Sequence, residues 1–114
     1  MPAGGMIDHP DITERLIVKL NDALPIIARL TPELRDMLRG QNAAAAIPAQ
    51  AAVTWISYAG DEGGIVCKLD FGSEVHNAAF TSITHLRFDP RLPLAREITA
   101  YQNHRVKRLR RQSR

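Results

Sequence analysis

The sequence predicts an α+β domain with two N-terminal helices, a three-stranded antiparallel meander and a long basic helix at its C-terminal end. Apolar residues recur at helical spacing over the first third of the chain, and the pattern changes to strand-like alternation after Ala51. Lysine and arginine then dominate the end of the chain. We therefore expect the order α-α-β-β-β-α, with the helices packed on one face of the sheet.

The composition is that of one folded domain rather than a disordered or disulfide-stabilised chain. The 114 residues are 45% hydrophobic and 24% charged, which provides enough apolar surface for one core. We expect a flexible N-terminus over residues 1–10 and a single domain over residues 11–112. The single cysteine excludes an internal disulfide, and no apolar run reaches the roughly 18 residues of a membrane span. Since the start of the chain lacks a signal-peptide pattern, we expect a cytoplasmic protein without a membrane partner.

Two helices are predicted in the first third of the chain. Asp11 is positioned to cap the first helix, and apolar residues over 12–27 form one stripe at helical spacing. Pro25 interrupts this stripe, because proline lacks the amide hydrogen of a helical bond and clashes with the preceding turn, so we expect the helix to kink or stop there. The second helix is expected to start after a Thr31 cap and to stop at Gly40.

The central part of the chain predicts three strands. Residues 51–59 are rich in β-branched and aromatic side chains, and residues 65–71 alternate between apolar and polar. The glycine-rich residues 60–64 between them indicate a hairpin turn. A third strand is expected over residues 78–88, and the basic helix over residues 93–112.

From residue 30 to residue 112, the α-β-β-β-α order with a basic last helix resembles double-stranded-RNA-binding domains in outline. The resemblance covers topology alone. Members of that family bind phosphate through lysines at the start of the last helix. The corresponding segment of this chain is Pro93-Leu94-Ala95-Arg96-Glu97, which contains no lysine. The resemblance therefore implies a fold and no site residue.

Charge is distributed unevenly along the chain. Residues 91–114 contain eight Lys/Arg and one acidic residue, a net charge of +7, whereas residues 1–90 contain seven and eleven, a net of −4. The two parts sum to the formal +3 of the whole chain. Guanidinium groups form paired bonds to phosphate oxygens, and counterion release adds affinity for nucleic acid.

Our preferred interpretation is a small non-enzymatic accessory domain whose last helix contacts nucleic-acid phosphates without reading sequence. The candidate residues all lie in the basic C-terminal run: Arg105, Lys107, Arg108, Arg110, Arg111 and Arg114. A solvated helix end, where cations meet the helix dipole, is a competing interpretation. Another is a module for protein interaction or homodimeric assembly, in which these cations dock on an acidic protein surface or the sheet edges pair with a second copy.

The sequence leaves two placements open for Arg105 and two for the aromatic residues Trp55 and Tyr58: buried in the protein or exposed to solvent. Arg105 interrupts the apolar stripe of the last helix, so that it either pairs with a buried carboxylate or extends its head to water, which we favour. The candidate carboxylates are Asp70, Glu74 and Asp89. Trp55 and Tyr58 are expected in the core or on a sheet face, and exposed together they would mark a binding patch.

No catalytic or metal site is predicted. Cys67 shares a strand face with apolar residues, where a buried thiol is ordinary. His76 and His85 flank the third strand, so a Cys–His nucleophile requires the fold to bring one of them to Cys67. The four histidines show no metal-ligand spacing, and no cofactor motif accompanies them. We therefore expect no catalytic residue, no metal and no cofactor.

Overall fold

The computed structural model describes residues 8–41, 47–71 and 79–112 and shows a mixed α+β fold with a five-stranded antiparallel sheet. In chain order the elements are α1 (Pro10–Ala23), β1 (Ile26–Leu30), α2 (Pro32–Gln41), β2 (Gln50–Tyr58), the one-turn helix α3 (Gly60–Gly63), β3 (Ile65–Asp70), β4 (Ala79–Ser82), β5 (Leu86–Arg87) and α4 (Ala95–Gln112). The strand order is β4-β3-β2-β1-β5. The predicted α+β class is confirmed, whereas the predicted three-stranded meander is only part of the sheet.

The strand missing from the prediction is β1, which lies between β2 and β5. Its residues alternate in exposure, with Ile26, Ala28 and Leu30 buried and the two between them exposed. The predicted stop of the first helix at Pro25 is confirmed, whereas the assignment of Ile27 to its apolar stripe is wrong. Pro25 ends the helical hydrogen bonding, and the extended chain after it buries every second residue instead.

The two edge strands, β4 and β5, are joined only by a 3-10 turn, Ile83–His85. The four steps from Ser82 to Leu86 span at most about 14 Å, whereas the edges of a flat five-stranded sheet lie about 19 Å apart. The sheet must therefore curl to bring its edges together. The side-chain amide of Gln102 in α4 secures this connection, because it donates to the carbonyls of Ile83 and Leu86 at 2.8 Å each.

The inner face of the curled sheet forms the core together with α1 and α4. Leu16 and Leu20 of α1 and Ile98 of α4 belong to one buried cluster with the inward residues of the strands. Those strand residues are Ile26, Ala28, Leu30, Ala51, Val53, Ile56, Ile65, Cys67, Leu69 and Leu86. Removal of these side chains from water is the main driving force for folding.

Of the two predicted helix caps, one is confirmed by the structure and the other is wrong. The hydroxyl of Thr31 accepts a hydrogen bond from the amide of Leu34 at 3.3 Å, which confirms the cap of α2. At α1 the N-cap is His9 rather than Asp11, and its side chain accepts from the amide of Ile12.

The predicted hairpin is confirmed, since β2 and β3 pair antiparallel, and its turn closes as α3. The third strand predicted over residues 78–88 instead comprises β4, the 3-10 turn and β5, because the curl of the sheet places the second half of this segment at the opposite edge.

Because β1 and β5 are additional strands, the order of elements no longer matches that of double-stranded-RNA-binding domains. The last helix, predicted over residues 93–112, begins at Ala95. Within the described segments no helix combines the length and apolarity needed to cross a membrane.

Candidate functional site

The cationic side of α4 faces away from the core. At about 100° per residue, Lys107, Arg110 and Arg111 fall within one third of the helix circumference, opposite the buried Ile98 and Tyr101. All three cationic side chains are exposed. Among the residues that the structure describes, no carboxylate lies within ion-pair distance of Lys107 or Arg111. We call Lys107, Arg110 and Arg111 the cationic face.

The other predicted site residues of this helix are placed differently. Arg108 is half-buried, and Arg114 lies outside the described residues. Arg105 is only 2% exposed, so the expectation that its head reaches water is wrong. Its Nη1 lies 3.2 Å from both carboxylate oxygens of Asp8, and this ion pair makes burial of the guanidinium tolerable. Arg105 is therefore not available to a surface phosphate.

Asp8 is the centre of a buried polar network that connects the start of α1 to α4 and to the β2–β3 hairpin. Its Oδ2 accepts hydrogen bonds from the hydroxyls of Tyr58 and Tyr101 at 2.8 Å each. The Tyr101 hydroxyl in turn accepts from the amide of Ile65 at 3.1 Å. Burial, with the hydrogen bond to Asp8, raises the pKa of Tyr101, so the phenol stays protonated and continues to donate. Since Asp8 and Arg105 are 3% and 2% exposed, this network stabilises the fold and offers no substrate site.

Gly64 completes the wall of this network. Its φ is +63°, and a Cβ at this position would lie 2.6 Å from both Nε of Arg105 and the hydroxyl oxygen of Tyr101. Only glycine fits there. The sequence marked Gly64 as a turn residue and placed Asp8 in a flexible N-terminus, so neither was foreseen as a partner of Arg105.

The outer face of the sheet carries a row of three exposed or half-buried side chains, Trp55, Lys68 and Phe80, which we call the aromatic row. The rings of Trp55 and Phe80 meet edge to face with centroids 5.9 Å apart. Lys68 is the cross-strand partner of both, so it lies between them. A bulge between Val53 and Trp55 in β2 turns the indole outward. Tyr58 is also exposed, but its hydroxyl bonds to Asp8.

The described residues bring no nucleophile and base together. Cys67 is fully buried, and burial raises the pKa of its thiol to about 12, which makes it unreactive. His85 is exposed at the end of the 3-10 turn, and His76 lies outside the described residues. Within the described ranges, no three His, Cys, Asp or Glu side chains are grouped to hold a metal ion.

The fold and its surfaces thus define an α+β domain with a cationic helix face and an aromatic row on its sheet. Comparison with protein-family models, curated proteins and solved structures finds no match for this chain. The function must therefore be argued from the chemistry of these surfaces.

Proposed function

We propose that the protein is a non-catalytic module that binds nucleic acid through the cationic face of α4. The observation that carries this proposal is that Lys107 and Arg111 are exposed with no carboxylate partner among the described residues. Phosphates supply the complementary charge, because ammonium and guanidinium groups bind them through charge-assisted hydrogen bonds. Contacts to phosphate alone fix position and carry no base information, so binding is independent of sequence.

The helix dipole by itself does not account for this array of charge. Its favourable effect on cations falls off within the last turn of a helix. Lys107 lies five residues before the end of α4 at Gln112, more than one turn away. A ligand that runs along the side of the helix would contact Lys107 as well as Arg111.

Anisotropy of a fluorescent duplex of about 20 base pairs tests the proposal, measured between about 50 and about 200 mM salt. Two phosphate contacts give a slope of about −1.8 in log affinity against log salt, or about 12-fold loss over this range. The double variant K107E/R111E should lose that part of the slope. The control R15E/R39E makes the same change in net charge at exposed positions of α1 and α2 and should keep it. Equal losses in the two double variants would reject the cationic face as the site.

A second candidate function, docking of an acidic protein, is favoured by the outer face of the sheet. Trp55 and Phe80 are 47% and 57% exposed there, and Ile27 is 57% exposed on the same face. Exposed aromatic side chains in mutual contact, as Trp55 and Phe80 are, mark interaction sites, and tryptophan is enriched at their energetic centres. The charged residues on this face of the strands are three cations and one acid: Arg29, Lys68, Arg87 and Asp70. A second copy would oppose like charges, so an acidic partner with apolar side chains fits better.

Selection of peptides from a random library tests this candidate, with counter-selection against W55A/F80A. The enriched peptides should combine Asp or Glu with aromatic or aliphatic residues, and their binding should quench Trp55, which is the only tryptophan. Uncharged or basic peptides would contradict the charge argument. Light scattering that shows a dimer in the wild type and a monomer in W55A/F80A would instead identify the occupant as a second copy.

A further inference from the structure

A cleft of about 730 Å³ lies where β1 and β5 pair, beside the segment that leads into α4. Its walls are mainly apolar and come from both sides of the cleft: Pro25, Ile27, Phe88, Leu92, Pro93 and Leu94. This volume falls within the range of small-molecule sites, about 300–1,000 Å³. The cleft is at the opposite end of α4 from the cationic face, since Ile98 in the second turn of the helix lines it.

Two arginines on the rim of this cleft face each other across adjacent strands. Arg29 of β1 and Arg87 of β5 are direct cross-strand partners, and both are exposed. Like charges directly opposite in a sheet are destabilising. Nη1 of Arg87 donates to the carbonyls of Thr84 and Leu86, at 3.2 and 2.9 Å, which holds its guanidinium in place.

The carboxylate beside the cleft does not neutralise these arginines. Asp89 instead pairs with Arg91, whose Nε and Nη2 donate to its two oxygens at 3.2 and 3.0 Å. The amide of Arg91 adds a bond of 2.9 Å to the same carboxylate. Among the described residues no other acidic side chain lines the cleft, so Arg29 and Arg87 leave it with a charge of +2.

We propose that this cleft binds a small organic anion whose oxyanion head meets Arg29 and Arg87 and whose apolar body packs on Ile27, Phe88 and Leu92. Guanidinium groups bind oxyanions such as carboxylates through paired, charge-assisted bonds, which also relieve the repulsion between the two arginines. The apolar walls contribute affinity in proportion to the surface they remove from water. The site is independent of the nucleic-acid proposal, because it uses no residue of the cationic face.

The dye 8-anilinonaphthalene-1-sulfonate is a suitable probe, because it carries one sulfonate on an aromatic body. We expect one molecule to bind per chain, at least tenfold more weakly to R29Q/R87Q, and with unchanged affinity to R15Q/R39Q and to W55A/F80A. Octanoate should displace the dye at concentrations where octanol and inorganic phosphate do not. Displacement by octanol as effectively as by octanoate would overturn anion recognition, and displacement by inorganic phosphate would overturn the role of the apolar walls.

Thermal unfolding separates loss of binding from loss of fold. Without ligand, R29Q/R87Q should melt close to the wild type, since removal of a like-charge pair offsets the loss of the two hydrogen bonds that Arg87 donates. Octanoate should raise the melting temperature of the wild type and leave that of R29Q/R87Q unchanged. Equal stabilisation of both proteins by octanoate would place the anion elsewhere and refute the site.

Discussion

Replacing Asp8 by alanine removes the acceptor of two buried side chains, Arg105 and Tyr101, and of the exposed Tyr58. Arg105 loses its ion pair at 3.2 Å, and the hydroxyls of Tyr58 and Tyr101 lose bonds of 2.8 Å. Leaving one partner of a buried ion pair uncompensated costs about 3–5 kcal/mol. Because a small domain is stable by only about 5–15 kcal/mol, D8A should remove a large fraction of the free energy of unfolding.

Urea unfolding followed by fluorescence of Trp55 measures this loss. The matched control is D22A, which removes an exposed carboxylate from α1, the helix that follows Asp8, and should change stability by less than about 0.5 kcal/mol. A second comparison uses R105M and the double variant D8A/R105M. The double variant should be more stable than the sum of the single effects predicts, because it leaves no charge buried alone. A loss below about 1 kcal/mol in D8A, or strict additivity, would refute the coupling inferred from the contacts.

Three further predictions concern single contacts in the core. Gly64→Ala should destabilise the fold by about 1–3 kcal/mol more than Gly60→Ala. Both glycines have φ near +65°, but only a Cβ at position 64 would collide with Arg105 and Tyr101. Equal urea midpoints of the two variants would contradict this prediction. Gln102→Ala should cost about 1–3 kcal/mol, because it removes two buried hydrogen bonds, to the carbonyls of Ile83 and Leu86. The exposed neighbour Asn103→Ala should be neutral in the same assay. Burial raises the pKa of Cys67 from about 9, its value in the unfolded chain, to about 12. The contribution of the protonated thiol to the free energy of unfolding is therefore complete below pH 9 and is lost as the pH rises towards 12, at about 1.4 kcal/mol per pH unit. The fall in stability between about pH 9 and pH 10.5 should therefore be shallower in C67A, and a slope identical to the wild type would count against a protonated buried thiol.

The elements that the sequence predicted correctly are those with local causes. The hairpin follows from glycines between two β-branched runs, and the Thr31 cap follows from a hydroxyl placed three residues before an amide that needs an acceptor. The last helix follows from its apolar stripe. In each case the relevant residues are near neighbours in the chain, so their pattern is visible without the fold.

The parts that were missed depend on contacts between distant residues. β1 is five residues long and follows a helix whose apolar spacing continues into it, so only its pairing with β2 and β5 identifies it as a strand. The partner of Arg105 lies 97 residues away. The position of Arg105 in an apolar stripe signals that a buried guanidinium needs a carboxylate. The candidates named from the sequence, Asp70, Glu74 and Asp89, did not include the observed partner, because only the fold selects Asp8 from the twelve acidic residues of the chain.

Burial of Arg105 limits the number of phosphate contacts that the basic end of the chain can form. The sequence offers six cations there, but Asp8 neutralises one of them inside the protein. In the C-terminal half of α4 four cationic residues remain at least partly accessible: Lys107, Arg108, Arg110 and Arg111. Arg114 beyond them brings the largest possible number of phosphate contacts at this end of the chain to five. The salt slope for duplex binding is then at most about −4.5. A steeper measured slope would require either that nucleic acid also contacts the cations of the outer sheet face, or that binding breaks the Asp8–Arg105 pair. The variant K68Q distinguishes these two cases, because it reduces the slope only if the outer face takes part.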